Sequence, residues 1–247
     1  MNATTPLISV VTVVFNNVKS IRNTIESVVN QTYRAVEYIV IDGGSTDGTL
    51  DIIKAYSNNI SVLISEKDTG IYNAMNKGIA MANGQWICLL NSGDVFVDQQ
   101  TVQIFVDALA QYPDFDIVYG NILVKNKNGD LTEKIASEPC NKHRMFFCHQ
   151  SAFVKTELLQ KYPFDEQYRM SADLKFFKQC YIAHHKFLHL HFPVVVYNTE
   201  GISNTRRIDG LKENIRVIKE MDSGWKKNLF LLRLYFVIHW AKLRGKH

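Results

Sequence analysis

Several features are missing from this chain, and each absence excludes a class of protein. The four cysteines, Cys88, Cys140, Cys148 and Cys180, form no CxxC pair, and two of them sit in apolar runs. That usage predicts reduced thiols in a cytosolic protein rather than a disulfide framework. Charge of one sign is scarce. The net charge is +4, too small to argue for nucleic acid, and no nucleic-acid-binding motif stands out. No GxGxxG follows the first apolar run and no GxxxxGKS or GxxxxGKT occurs, which disfavours dinucleotide binding and P-loop chemistry. The opening residues MNATTPLISVV carry no basic segment and no cleavage site, so no secretory signal is expected. In such a chain Asn30-Gln31-Thr32 is a chance glycosylation match. Long hydrophobic runs are also absent. The longest, near the C-terminus, is about 15 residues and contains Arg233 and His239, too short and too polar to span a bilayer.

What is present fits one large α/β domain with a small appendage. The 247 residues are 46% hydrophobic and 21% charged, enough to build a sizeable core. Strand-like and helix-like stretches alternate through the first hundred residues. Leu7–Val14 is a continuous β-branched run, as in a strand buried on both faces. Ser20–Asn30 puts Ile21, Ile25, Val28 and Val29 on one helical face. Val36–Ile41, Ile60–Ile64 and Trp86–Leu90 read as further strands, with helices over Asp47–Tyr56 and Ile71–Met81. This order predicts a mainly parallel sheet with right-handed crossovers. Thr101–Gln111 then reads as helix. Ile117–Val124 and Leu131–Ile135 flank a turn signalled by Asn128-Gly129, and Phe187–Tyr197 is another strand. The second half is therefore expected to be mixed.

Ligands of an open parallel sheet bind at the carboxyl ends of its strands. Four such ends are polar here: Phe15-Asn16-Asn17, Asp42-Gly43-Gly44-Ser45-Thr46-Asp47-Gly48, Ser65-Glu66-Lys67-Asp68-Thr69-Gly70 and Asn91-Ser92-Gly93-Asp94. Turn and helix-capping chemistry accounts for any one of these loops. Four on one sheet edge, each with an acid or amide beyond turn needs, suit a substrate with a base, a ribose and a diphosphate. Carboxylates accept from base N–H and ribose hydroxyls, glycines allow close backbone approach, and a carboxylate in a turn can hold a divalent cation.

The ordered set SVVTVVFNN, VIDGGSTDGT, SEKDTGIYNAMNKGIAMANG and LLNSGD resembles the family 2 glycosyltransferases of the GT-A fold, closest to the bacterial enzymes of exopolysaccharide, O-antigen and colanic-acid assembly. The similarity covers about residues 7–205 and is densest in 7–95. It implies a Rossmann-type, mainly parallel sheet with a mixed acceptor-side half. The corresponding division is a nucleotide-sugar half over about 7–124, an acceptor half over about 125–224, and a basic amphipathic helix over 225–247. It also implies inverting transfer from a nucleotide-sugar donor, with Mg²⁺ or Mn²⁺, to a saccharide acceptor carried on a polyprenyl diphosphate. The setting would be the inner face of a bacterial cytoplasmic membrane.

Residue by residue, Asp42 matches the acid that contacts the nucleoside. Phe15, Asn16 and Ser45 lie in the loops framing the base. Asp68, Asn76 and Lys77 border the donor sugar and phosphates. Asp94 matches the last acid of the metal-binding motif, and Asp173, at a helix start in YRMSADLKFFKQC, matches the base. His149 and Gln150, in Cys148-His149-Gln150-Ser151, correspond to a stretch preceding that base; His149 reads equally as a core histidine. Two departures stand out: Gly43 replaces a second acid after Asp42, and Asn91 and Gly93 replace further acids beside Asp94.

Other features leave alternatives open. Glu200-Gly201-Ile202-Ser203 resembles a loop after the last sheet strand. Arg206 and Arg207 beyond it reach a diphosphate or form a solvated pair. His184, His185, His189 and His191 cluster in sequence, and 189 and 191 share a strand face. No carboxylate or cysteine set accompanies them at ligand spacing, so no zinc site is expected. Residues 225–247 place Trp225, Leu229, Leu232, Phe236 and Leu243 on one helical stripe and Lys226, Arg233 and Arg244 on another, as for a membrane-interface helix. Leu231, Leu234 and Ile238 instead favour packing on the domain. The thinned acidic motif also suits a non-catalytic partner in polysaccharide assembly. A sugar nucleotidyltransferase is disfavoured because Phe15-Asn16-Asn17-Val18-Lys19 lacks a Gly-rich basic loop.

Overall fold

The computed structural model describes residues 7–125, 129–139, 145–199 and 206–243. Asn128, Cys140, Glu200–Ser203 and Arg244 lie outside these. Nine strands form one sheet: β1 (Ile8–Val14), β2 (Val36–Asp42), β3 (Val62–Ser65), β4 (Trp86–Leu89), β5 (Val95–Phe96), β6 (Ile117–Lys125), β7 (Leu131–Lys134), β8 (Ala152–Lys155) and β9 (Phe187–Tyr197). The helices are α1 (Ile21–Val29), α2 (Thr49–Lys54), α3 (Ile71–Met81), α4 (Thr101–Gln111), α5 (Thr156–Lys161), α6 (Ala172–Ile182), α7 (Arg207–Met221) and α8 (Trp225–Leu243).

The strand order is β3-β2-β1-β4-β8-β6-β9-β5, with β7 added to β6. β3, β2, β1 and β4 are parallel. The short β8 is antiparallel to both neighbours and begins the mixed half. β6 and β9 run parallel, and β5 closes the far edge antiparallel to β9. All seven residues of β1 are buried, as its β-branched run requires. Val11 and Val13 face α3, α5 and α6, whereas Ile8, Val10 and Val14 face α1 and α4. Helices thus cover both sides of the parallel half.

The sheet is curled. β4 and β5 are four places apart in the order, roughly 19 Å in a flat sheet at about 4.8 Å per step. Residues 90–94 would reach that far only if almost fully extended, at roughly 3.3–3.6 Å per residue. They are instead folded, because Asp94 N–H donates to Asn91 C=O at 3.0 Å. The mixed half must therefore bend back toward β4. Phe96 stacking on Phe153 of β8 across the curl, at 6.3 Å between centroids, fills the space inside.

Asp47 begins no helix of its own. Its carboxylate accepts from the N–H groups of Thr49 and Val18, at 3.0 and 3.1 Å, and α2 starts two residues later than expected. β5, β8, α5 and α7 are additions to the elements anticipated from sequence. At the C-terminus, Leu231 and Ile238 of α8 are buried against Ile208, Ile215 and Ile218 of α7.

Gly78 of α3 lies where the helix crosses β1. A Cβ there would sit 3.4 Å from Ile41 Cγ1 and inside contact distance of Val11 Cγ1. Alanine gains about 1 kcal/mol of helix propensity over glycine, but overpacking a core costs about 1–3 kcal/mol. Gly78→Ala is expected to lower the unfolding free energy by about 1 kcal/mol, read as a lower urea midpoint with an unchanged m-value; a stabilised variant would refute this packing account.

Candidate active site

A cleft of about 1050 Å³ opens at the carboxyl ends of β1 and β4 and runs into the curled half. Phe15, Asn17 and Asp68 line one side of it, the turn Asn91–Asp94 its centre, and His149, Gln150 and Asp173 another side.

The central turn extends β4 along β1. Leu90 and Ser92 N–H donate to Val11 and Val13 C=O at 2.9 and 3.1 Å, after which the chain reverses. Gly93 sits at φ 103°, a conformation that disfavours any side chain, and a Cβ there would also collide with Asn198. The turn delivers Asp94 into the interior at 3% exposure. Burial pushes its carboxyl up to about 6, against the opposing pull of the Asn198 N–H, the His149 charge and Gln150. Asn198 N–H donates to Asp94 Oδ1 at 2.7 Å. In the same turn, Asn91 Oδ1 is buried without a hydrogen-bond partner, the one such side-chain atom among the described residues. A buried carboxylate and an orphaned amide oxygen are the hard oxygen donors that Mg²⁺ or Mn²⁺ takes, with phosphates and water completing the shell. The residues present fit such a cation, and the replacement of acids by Asn91 does not remove a donor.

Asp173 stands at the start of α6, its side chain 15% exposed. Oδ1 accepts from Tyr72 O–H and from Leu174 N–H, both at 2.9 Å. Oδ2 lies 2.9 Å from His149 Nδ1 and keeps one acceptor position. Burial acts to raise the carboxyl, but the hydrogen bond and charge of His149, with the Tyr72 and Leu174 donors, outweigh it and hold Asp173 below its ordinary value. Burial and the Asp173 charge keep Tyr72 protonated, its hydroxyl raised well above the usual tyrosine range. His149 Nε2 in turn lies 3.3 Å from Asn91 Nδ2. One chain of contacts therefore joins the Asp94 turn to Asp173.

Of the residues singled out from sequence, Phe15, Asp68, Asp94, His149, Gln150 and Asp173 line the cleft. The others do not reach it. Asp42 is fully buried, accepting from Ser45 N–H at 3.1 Å and Ser65 O–H at 2.7 Å. Asn16, at φ 47°, and Ser45 tie the β1–α1 loop to the β2–α2 loop: Asn16 N–H donates to Ser45 Oγ and Thr46 N–H to Asn16 Oδ1, each at 2.8 Å. Asn76 clamps the 164–166 loop through Phe164 and Glu166. Lys77 pairs with Glu66 at 2.6 Å. Arg206 pairs with Asp209 in solvent at 2.8 Å. The absence of a side chain at Gly43 has a visible use, since the Asp68 carboxylate occupies the space a Cβ would take.

Tyr72, Asn198 and the free oxygen of Asn91 were not legible as site groups. Tyr72 reads as one more apolar position of α3, and only its place after Gly70 sets it at the cleft.

The arrangement sets two carboxylates of opposite character, Asp94 raised and Asp173 lowered, in one cleft at the carboxyl edge of the sheet. Comparison with known proteins then places it. The glycosyl transferase family 2 model matches residues 9–174, and the chain belongs to that family; it is a glycosyltransferase. A Mycobacterium bovis protein named PGL/p-HBAD biosynthesis glycosyltransferase is 28% identical over 210 residues, 81% of this chain and 80% of that one. Among solved structures, S. aureus TarS 1-349 in complex with UDP-GlcNAc superposes with a TM-score of 0.70 at 18% identity, covering 95% of this chain and 72% of that one. Mannosyltransferase PcManGT from Pyrobaculum calidifontis, in complex with GDP-Man and Mn2+, gives 0.68 at 17% identity, covering 96% and 70%. The fold is theirs.

Tyr72→Phe removes one donor from Asp173. A carboxyl held below its unfolded value contributes stability above the unfolded carboxylate range, lost as pH falls through its folded value. The variant is expected to lose about 1–2 kcal/mol at pH 7. The deficit should shrink at acidic pH, as Asp173 in both proteins becomes protonated on passing below its lowered folded value. Denaturation at both pH values measures this; a deficit that stays constant with pH would contradict the assigned contact.

Proposed function

We propose that this enzyme inverts configuration at the anomeric carbon as it moves a sugar from a nucleotide-sugar donor to a saccharide acceptor on a polyprenyl diphosphate, in bacterial surface-polysaccharide synthesis. The observation that carries the reading is Asp173, an ionised carboxylate in the cleft with one acceptor position free on Oδ2. An inverting transfer needs one such base. The acceptor hydroxyl oxygen bonds to the anomeric carbon while the bond from that carbon to the diphosphate oxygen breaks. Asp173 Oδ2 takes the hydroxyl proton, and nucleoside diphosphate leaves. His149 and Tyr72 hold the carboxylate in place through the step. Phe15, Asp68 and Gln150, which line the cleft, would contact the nucleotide-sugar donor. Asp42, with Asn16 and Ser45, shapes the loop beneath the base. Asp94 and Asn91 would hold a divalent cation, which would supply positive charge to the leaving diphosphate.

The lipid-linked acceptor is supported by α8. Trp225, Leu229, Leu232, Phe236 and Leu243 are between 61% and 71% exposed, while Leu231 and Ile238 anchor the opposite face. The helix carries Lys226, Lys227 and Arg233 and no acid. No helix of the described residues is long and apolar enough to cross a membrane. An apolar, basic surface of this kind suits the interface of an anionic bilayer, as expected of a protein peripheral to the inner face of the cytoplasmic membrane.

Asp173→Asn should lower transfer by about 10²–10⁴-fold while nucleotide binding survives, read by nucleoside diphosphate release and by thermal shift. Turnover retained in that variant would remove Asp173 as the base. No release by the wild type from UDP-, GDP- or dTDP-sugars with extracted lipid acceptor would favour a non-catalytic partner. With Mn²⁺ and a nucleoside diphosphate the wild type should melt at a higher temperature than with either alone, and Asp94→Asn should lose that gain.

A further inference from the structure

The sequence sets His189 and His191 on one strand face with no carboxylate near them; the fold brings one. Glu138 Oε1 lies 3.0 Å from His189 Nδ1, and one donor atom from each of Glu138, His189 and His191 falls within 4.8 Å of the others. The cluster is not among the groups lining the cleft.

Hydrogen bonding fixes how His189 is presented. Ala136 N–H donates to Asn121 Oδ1 at 2.9 Å and Asn121 Nδ2 donates to Glu133 at 2.6 Å, so the Asn121 amide has one orientation. Its Oδ1 faces His189 Nε2 at 2.9 Å, and that nitrogen must carry the hydrogen. In the neutral ring Nδ1 then turns a lone pair toward the Glu138 carboxylate. Two lone pairs 3.0 Å apart repel unless a cation lies with them. A proton between these two groups would leave the His191 ring, tilted at 43° with its centroid 4.0 Å away, without a part in the cluster. A metal ion would make that second ring a ligand.

The backbone is bent to bring it there. The β6–β9 register slips beside Asn121, and His191 sits at φ 53°. Bulges re-aim side chains, and a non-glycine residue in the left-handed region is retained where the surroundings favour it. A histidine ligand whose other N–H is held by an oxygen acceptor is also the usual outer-shell arrangement of metal sites.

We propose that Glu138, His189 and His191 form a second divalent-cation site, separate from Asp94, which takes Zn²⁺ or a similar first-row ion. Two imidazoles and one carboxylate select such ions over Mg²⁺, and water fills the remaining position. The role is structural. The ion ties Glu138 to β9, and Ile135 and Ala136 of the same segment line the acceptor side of the cleft.

The test is zinc titration of the metal-stripped full-length protein against a chromophoric chelator, with Co²⁺ absorption as a second readout. One zinc per chain is expected, undisturbed by a thousandfold excess of Mg²⁺ and unchanged in Asp94→Asn. Glu138→Gln and His191→Ala alter exposed side chains and should fold; each is expected to weaken zinc at least about tenfold and to change the Co²⁺ spectrum. Wild-type zinc affinity in both variants, or no zinc binding by the parent protein, would overturn the site.

Discussion

The short connection between β4 and β5 is the constraint on which the rest of the molecule depends. It is too short to cross a flat sheet, so the mixed half must curl toward the parallel half. The curl creates the cleft, and the connection itself carries Asp94 to the centre of it. Asn198 reaches Asp94 from the end of β9, the strand that pairs with β5 directly after Asp94. Fold and site are thus set by the same few residues.

Within the cleft two carboxylates have been given opposite environments. Asp94 is stripped of water with few compensating donors, and its carboxyl is raised to about 6. Asp173 is nearly as enclosed but receives donors from Tyr72, Leu174 and His149, and it is lowered. Paired acids whose surroundings push them apart divide the chemistry between them. The first is a poor resident anion that gains by meeting a cation. The second is an anion already balanced, oriented and left with one open acceptor position. His149, in contact with both neighbourhoods, keeps the two settings coordinated.

Much of the parallel half was readable in the sequence because strands buried on both faces read as near-continuous apolar runs: β1 is largely β-branched, and β2 and β4 are largely apolar. α3, α4 and β9 begin and end where their patterns do. What escaped was short or carried by contacts distant in the chain. β5 has two residues and β8 four, too few for any period to show. α7 is polar on most faces and gains its place from α8 and from Glu213 and Glu220, which bind Arg169 and Tyr168. The motif residues were legible as a set, yet spacing does not say which way a side chain turns. Asp42, Asn76 and Lys77 face the scaffold, while Tyr72, from an apolar pattern, reaches Asp173. Glu138 joins His189 from 51 positions away, a distance no local motif spans.

β7 stands apart from this economy. All four of its residues are exposed, and it pairs with β6 alone. One wall of the cleft is consequently built on a hairpin arm whose length can change at small entropic cost. The loops around buried Asp42 have no such freedom, because they are braced by its carboxylate and by the sheet itself. Over evolutionary time that wall can diversify by insertion and loss in the arm while the rest of the cleft stays fixed.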